Sequence, residues 1–218
     1  GMLNAFYALK GKYVDKKKLA DEAIYLEREL CAEAGGWQDQ IAAAFGGFNR
    51  IDFNEDGYKV SPVIISPERN LVMFFTGFTR FSSDIQKANN AGESNENKIK
   101  KLKEMYSLVD EAEKILVEKN SDLDEFGRLL DYTWKLKRTT GEKVSTESID
   151  ALYKKGIEAG ALGGKLLGAG GGGFLIFYVK PENKQNLINA MSGLLHVPFE
   201  FENGGSRIIQ YTAEDYEG

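Results

Sequence analysis

Cysteine and histidine are almost missing from these 218 residues: Cys31 and His196 are the single representatives of each. One thiol cannot close an intramolecular disulfide, and no Cys-based zinc site can be assembled around it. His196 stands where a helix should give way to a strand, and nothing in the sequence supplies it with a catalytic partner, so it reads as a surface or capping group. No run approaches the roughly 18 apolar residues of a membrane span, and no basic region leads into an apolar signal core near the first residues, so no membrane is expected as a partner. The formal net charge is −5, with no basic stripe and no aromatics interleaved with Lys and Arg, which argues against a nucleic-acid partner. The length allows one large or two small domains, and the sparse cysteine fits a reducing, cytoplasmic setting.

Glycine is abundant, and it is concentrated. Lys165 to Val179 reads Lys-Leu-Leu-Gly-Ala-Gly-Gly-Gly-Gly-Phe-Leu-Ile-Phe-Tyr-Val, two apolar segments around a glycine run, which predicts strand, turn, strand. Residues without Cβ enter positive-φ backbone and let another group approach their amides, and successive amides turned one way make an anion site. Two familiar glycine motifs fail here. Gly168-x-Gly170-x-x-Gly173 matches the spacing of a dinucleotide fingerprint, but that fingerprint opens a helix and this run opens a strand. A P-loop needs Lys-Ser or Lys-Thr after its last glycine, where this chain has Phe174-Leu175. A structural turn and a flexible linker are the plainer readings.

In the N-terminal part, Leu3 to Leu9 predicts a short helix broken by Gly11. Asp15 caps a second helix whose Leu19, Ala23, Leu26 and Leu30 recur at helical spacing. Glu27 lies beside that apolar face, a solvated carboxylate on its own merits. Asp39 follows the Gly35-Gly36 turn and precedes the Ala-rich run Ile41 to Phe45, closed by Gly46-Gly47. An acid there is at least a favourable helix N-terminal charge. Gln38 and Gln40 flank it with amides that can bond a polar ligand, although two amides beside a turn are often only solvated. Phe48 to Phe53 and Tyr58 to Ile65 predict a hairpin across Asn54-Glu55-Asp56-Gly57.

Residues 67 to 70 are the expected domain boundary. Leu71 to Phe75 predicts a buried strand, and Lys98–Lys119, Asp124–Lys137 and Thr146–Glu158 predict helices, the first two with core-facing stripes (Leu102, Met105, Val109, Ala112 and Leu116; Phe126, Leu130 and Trp134) and the last capped by Ser145. Lys135, Lys137 and Arg138 form a basic cluster that suits an anionic ligand, though such clusters usually face solvent. A helix over Glu182 to Leu194 and a hairpin of Val197–Phe201 with Ser206–Tyr211 complete an α+β pattern with helices on one face of an antiparallel sheet.

Gly164 to Gly173, as Gly-Lys-Leu-Leu-Gly-Ala-Gly-Gly-Gly-Gly, resembles the third motif of the GHMP small-molecule kinases, which include galactokinase, homoserine kinase and mevalonate kinase. Gly35 to Gly47, as Gly-Gly-Trp-Gln-Asp-Gln-Ile-Ala-Ala-Ala-Phe-Gly-Gly, resembles within that superfamily the heptose 7-phosphate kinases. Those enzymes phosphorylate the anomeric hydroxyl of D-glycero-D-manno-heptose 7-phosphate with ATP. The resemblance implies a ferredoxin-like C-terminal domain over 70–218, preceded over 1–69 by the second half of a ribosomal-protein-like N-terminal domain. It implies Asp39 as the catalytic group at the attacking hydroxyl, and Glu27 as a Mg2+ ligand. Gly168, Gly170, Gly171, Gly172 and Gly173 would serve the ATP phosphates, with Gln38, Arg80 and Lys137 at the sugar phosphate.

The family's first motif and its Pro-x-x-x-Gly-Leu-Gly-Ser-Ser phosphate loop do not occur in these residues. They are expected upstream, with no turnover from the isolated chain and with a second copy or a partner chain covering the incomplete domain. A non-catalytic sugar-phosphate or protein-binding module, and one half of a two-chain kinase, are the alternatives.

Overall fold

The computed structural model describes residues 1–65, 70–78, 95–141, 144–168 and 172–210. Contacts divide the chain into two units, Gly1–Pro62 with the segment from Phe201, and Val63–Glu200. The expected boundary at 67–70 lies mostly outside the described residues.

The first unit begins with helices α1 (Met2–Leu9) and α2 (Lys16–Tyr25). Gly11 takes φ +62° between them, and Asp15 caps α2 by accepting the Lys18 amide at 2.8 Å, which satisfies one of the free N–H groups at the helix start. A single π turn, Leu26–Leu30, continues α2, with the Cys31 amide donating to the Leu26 carbonyl at 2.9 Å. That turn holds one residue more than an α turn, so side chains beyond it rotate off the face that α2 began. Helical spacing predicted Leu30 on the face of Leu19; instead Leu19 is buried and Leu30 is 63 % exposed.

Helix α3 (Gln38–Phe45) and the hairpin β1 (Asn49–Asn54) and β2 (Gly57–Pro62) follow. Leu19, Ala20, Ile41 and Ala44 form the core of this unit, with Ile51 and Val60 from the hairpin packed on it. The hairpin register pairs Asn54 with Gly57, and Asn54 Oδ1 accepts the Asp56 amide at 3.0 Å across the turn. The second strand was expected to reach Ile65 but ends at Pro62, a residue with no N–H to extend a ladder.

The expected hairpin of 197–201 with 206–211 does not form among the described residues. The chain around Gly205 instead crosses the end of α3 so closely that a Cβ on Gly46 would lie 2.1 Å from the Gly205 amide nitrogen. The Gly47 amide donates to the Glu202 carbonyl at 2.7 Å there. Backbone on backbone at this distance leaves no room for a paired strand.

The second unit is a four-stranded antiparallel sheet in the order β4-β5-β3-β6, formed by β3 (Leu71–Phe75), β4 (Ala161–Leu166), β5 (Phe174–Val179) and β6 (Leu195–His196). Helices α4 (Asn95–Val117), α5 (Leu123–Arg138) and α6 (Glu147–Glu158) connect β3 to β4, and α7 (Lys184–Ala190) connects β5 to β6. Strand, helices, two strands, helix, strand in this order is the ferredoxin-like arrangement. Side chains two apart on a strand share a face. Val72 and Phe74, then Leu175, Phe177 and Val179, meet Trp134, Ile149, Tyr153 and Leu187 from α5, α6 and α7, with Met191 just after α7, in one core. The helices therefore cover one face of the sheet, as expected.

Three local readings differ. Leu102 and Val109 of α4, predicted as core, are 48 % and 43 % exposed, because α4 packs chiefly along α5 and not on the sheet. Thr146, not Ser145, caps α6, accepting the Ile149 amide at 3.3 Å; the Ser145 hydroxyl donates to Asp150 at 2.7 Å. The predicted helix over 182–194 is a 3-10 turn, Pro181–Asn183, followed by the shorter α7.

Candidate functional site

In the first unit, Glu27 sits in the π turn and Asp39 in the first turn of α3. Their scaffold is the loop between, which Arg28 ties down. Its guanidinium donates to the carbonyls of Glu33 at 3.0 Å and Gly36 at 2.7 Å. A Cβ on Gly35 would fall 2.8 Å from that guanidinium, so glycine is what lets the arginine lie against the loop. Asp39 and Gln38 are exposed while Gln40 is buried. Asp39 has no hydrogen-bond or ion-pair partner among the described residues, which leaves both oxygens free to accept.

Gln40 Nε2 donates to Glu27 Oε2, and the Arg28 guanidinium lies 3.8 Å from the same oxygen. Glu27 Oε1 has no hydrogen-bond or ion-pair partner among the described residues, and the side chain is about half exposed (47 %). A free carboxylate oxygen is the donor that magnesium takes, commonly from one or two carboxylates together with substrate phosphates. Among the described residues no group of three or more His, Cys, Asp and Glu side chains comes together. Glu27 thus fits a cation shared with a phosphate better than one in an all-protein cage.

In the second unit the antiparallel strands β4 and β5 flank the glycine run, as read from the sequence. The Leu167 amide donates to the Phe174 carbonyl at 2.8 Å, and Gly168 and Gly173 take φ of +83° and +101°, where a Cβ is strained. The end of β3 crosses this turn. Gly173 donates its amide to the Phe78 carbonyl at 2.8 Å, and its own carbonyl accepts the Thr76 hydroxyl at 2.8 Å. A Cβ on Gly172 would lie 2.6 Å from the Phe78 carbonyl oxygen. Gly172 and Gly173 therefore lock the turn against β3. Gly170, Gly171 and Arg80 lie outside the described residues.

The basic cluster divides by partner. Lys135 pairs with Asp131 at 2.6 Å and Arg138 with Asp150 at 2.8 Å. Lys137 instead donates to the Gly168 carbonyl at 3.4 Å, at the edge of the glycine turn. Burial holds its ammonium below the usual lysine range, and the charge of Lys165 lowers it further. Lys165 is lowered by burial as well. Neither has a carboxylate partner among the described residues, so an anion brought to this edge of the turn would relieve both. Lys165 was not singled out in the sequence, though a lysine inside an otherwise small and apolar strand was the available signal. The bond from Gln40 to Glu27 had no such signal.

Residues 108–196, which lie within the second unit, match the family model of the GHMP kinases C terminal; the chain carries a GHMP kinase C-terminal domain. It is similar to the D-glycero-alpha-D-manno-heptose 7-phosphate kinase of Campylobacter jejuni subsp. jejuni, 33% identical over 203 residues, 88% of this chain and 58% of that protein. Among solved structures it resembles a sugar kinase from Campylobacter jejuni, at 31% identity and TM-score 0.69 over 94% of this chain and 60% of that one. It also resembles a D-glycero-D-manno-heptose 1-phosphate kinase from Bacteroides thetaiotaomicron, at 26% identity and TM-score 0.67 over 95% of this chain and 60% of that one. The chain thus spans about three fifths of the length of these relatives. Among the described residues no helix is long and apolar enough to cross a membrane.

Proposed function

We propose that the chain serves an ATP-dependent sugar-phosphate kinase acting on the anomeric hydroxyl of D-glycero-D-manno-heptose 7-phosphate. The observation that carries this reading is the pair of carboxylates on neighbouring elements of one unit: among the described residues Asp39 has no hydrogen-bond or ion-pair partner, and Glu27 is held at one oxygen and open at the other. Asp39 accepts or orients the proton of the attacking hydroxyl, the work a general base does when its oxygens are not already engaged. Glu27 would hold Mg2+, which with ATP would supply the phosphoryl group and the neutralisation of its charge. Gln38, exposed one residue before Asp39, offers an amide to a sugar hydroxyl. Lys137, with the glycine turn from Gly168 to Gly173, serves phosphate oxygens, and Arg80 is assigned to the sugar phosphate.

On this reading the first unit is the second half of a ribosomal-protein-like N-terminal domain. These 218 residues hold no Pro-x-x-x-Gly-Leu-Gly-Ser-Ser loop, and positioning of the nucleotide phosphates is most of what phosphoryl transfer asks of a protein. Residues 1–218 alone therefore do not turn over, and they pair with a second copy of the chain through apolar surface on the first unit.

The test is ATP-dependent phosphorylation of heptose 7-phosphate followed by 31P NMR. The chain alone is expected at background, and a chimera joining it to the phosphate-loop half of the Campylobacter jejuni relative is expected to be active. In the chimera, Asp39→Asn should lower kcat by about 100-fold or more with KM little changed. Activity from the chain alone would refute the assignment of phosphate positioning to other residues, and unchanged kcat in the Asn variant would remove Asp39 from its role.

A further inference from the structure

Gln40 is the buried exception in an exposed turn. Its neighbours Gln38 and Asp39 face solvent, whereas Gln40 is 8 % exposed and lies beside the core residue Ile41. Its Nε2 donates to Glu27 Oε2, and its Oε1 is buried without a hydrogen-bond partner among the described residues. A buried amide with an orphaned acceptor is a poor way to fill a core, since an apolar side chain of the same size would carry no such cost. The stability of the fold does not account for glutamine at this position. What the amide does is fix the carboxylate of Glu27, one of the two glutamates carried by the π turn.

Among the bonds at that turn are those from the Cys31 amide to the Leu26 carbonyl and from the Glu33 amide to the Glu27 carbonyl, each 2.9 Å. They set the backbone of Glu27, but a glutamate has three side-chain torsions beyond it. The Gln40 bond and the more distant Arg28 guanidinium both fall on Oε2. Together they leave Oε1 as the oxygen with no protein partner among the described residues.

We propose that Gln40 is a positioning residue that holds the Glu27 carboxylate by Oε2 so that Oε1 is presented to a divalent cation. The inference rests on the reading of Glu27 as a metal ligand given above. Partners that orient a metal ligand commonly change metal affinity 10- to 100-fold when removed.

The test uses the full chain and Mn2+ as the probe, with free Mn2+ counted by electron paramagnetic resonance and the thermal midpoint recorded for each variant. Gln40→Met keeps the length of the side chain and removes its N–H groups. It should bind Mn2+ about 10- to 100-fold more weakly while melting no lower than the unaltered chain, because the orphaned acceptor goes with the amide. A purely structural glutamine would do the reverse, lowering the midpoint and leaving Mn2+ affinity alone. Gln40→Leu is read in the same way should the Met variant lose its cooperative melt. Glu27→Gln separates the two levels of the argument. Absent Mn2+ binding by the unaltered chain, or equal binding by Glu27→Gln, overturns the metal reading and this inference with it. Weakened binding by Glu27→Gln together with unchanged binding by the Gln40 variants overturns the inference alone.

Discussion

Adding one methyl group at Gly163 should unseat α5 from β4. A Cβ built there lies 1.9 Å from the carbonyl oxygen of Gly127 and 2.7 Å from the amide nitrogen of Asp131. Both obstacles are backbone in the interior of α5, so no side-chain rotation clears them and the helix must rise by about 1 Å or more. That displacement strains the burial of Trp134, 1 % exposed, and the 2.8 Å bond from the Tyr153 hydroxyl to Asp131 Oδ1. Overpacking of a tight core costs about 1–3 kcal/mol, and an obstacle made of backbone belongs at the upper end. A loss of about 3 kcal/mol corresponds to a fall of about 10 °C in the Tm of a domain of this size.

Gly127→Ala faces the same crossing from the helix side, but its Cβ would meet the side chains of Tyr178 at 2.6 Å and Leu162 at 2.9 Å. The Tyr178 ring has more freedom to shift than a helix backbone, although the Leu162 Cβ moves only with its strand, and alanine is the better helix former, so a smaller loss is expected than at Gly163. Gly193→Ala, with no atom within 4 Å of its Cβ, should stay within about 0.5 kcal/mol of the unaltered chain. The assay is urea unfolding of the three variants side by side. If Gly163→Ala unfolds together with Gly193→Ala, the argument from close approach is wrong.

Two further outcomes follow from other parts of the chain. Because burial lowers the Lys165 ammonium in the fold, the unfolded chain binds more protons between the folded value and about 10.4, so this lysine makes stability rise with pH across that window. Tyr178, pushed up to about 12 by burial and then by the charges of Asp124 and Asp122, makes the opposite slope above about pH 10. Unfolding midpoints measured between about pH 7 and about pH 9.5 should therefore rise less steeply in Lys165→Met, and equal slopes would refute the burial argument. Helix α1 leaves Met2, Phe6 and Leu9 exposed at 62 %, 51 % and 72 %, so light scattering should find a dimer or larger species that Phe6→Glu disperses, and a monomer at about 100 µM would exclude that pairing.

Where one element's own pattern decided the structure, the sequence could be read directly. Asp15 capped α2, the Asn54 to Gly57 segment turned a hairpin, and the two apolar segments around the glycine run paired as strands. Each depends on residues a few positions apart, where local geometry and side-chain type are enough. The π turn was invisible, since Leu26 to Leu30 continues the apolar spacing of α2 and only the bond from Cys31 to Leu26 reveals the added residue. The stripe on α4 was real as a pattern and still did not bury Leu102 and Val109, because periodicity shows which residues share a face and not what covers it. The C-terminal segment failed for a related reason: Asn203-Gly204-Gly205 has turn composition, but Gly205 lies against the end of α3.

The candidate site shows the same limit at the scale of single side chains. Asp39 and Glu27 drew notice through a family motif, and taken as isolated carboxylates they were indistinguishable from solvated acids. What separates Glu27 from a surface acid is the bond it accepts from Gln40, and the loop that leads to Asp39 is held by Arg28 at the carbonyls of Glu33 and Gly36. The lysines make the complementary case. Lys135 with Asp131 is an i,i+4 pair that a helix presents automatically, and Arg138 finds Asp150 only because α6 returns beside α5. Once those two pairs form, Lys137 is the member of the cluster left facing the glycine turn, with Lys165 near enough to repel it. A charge that remains after its neighbours have been neutralised is the one available to an anion, and that remainder depends on the tertiary fold.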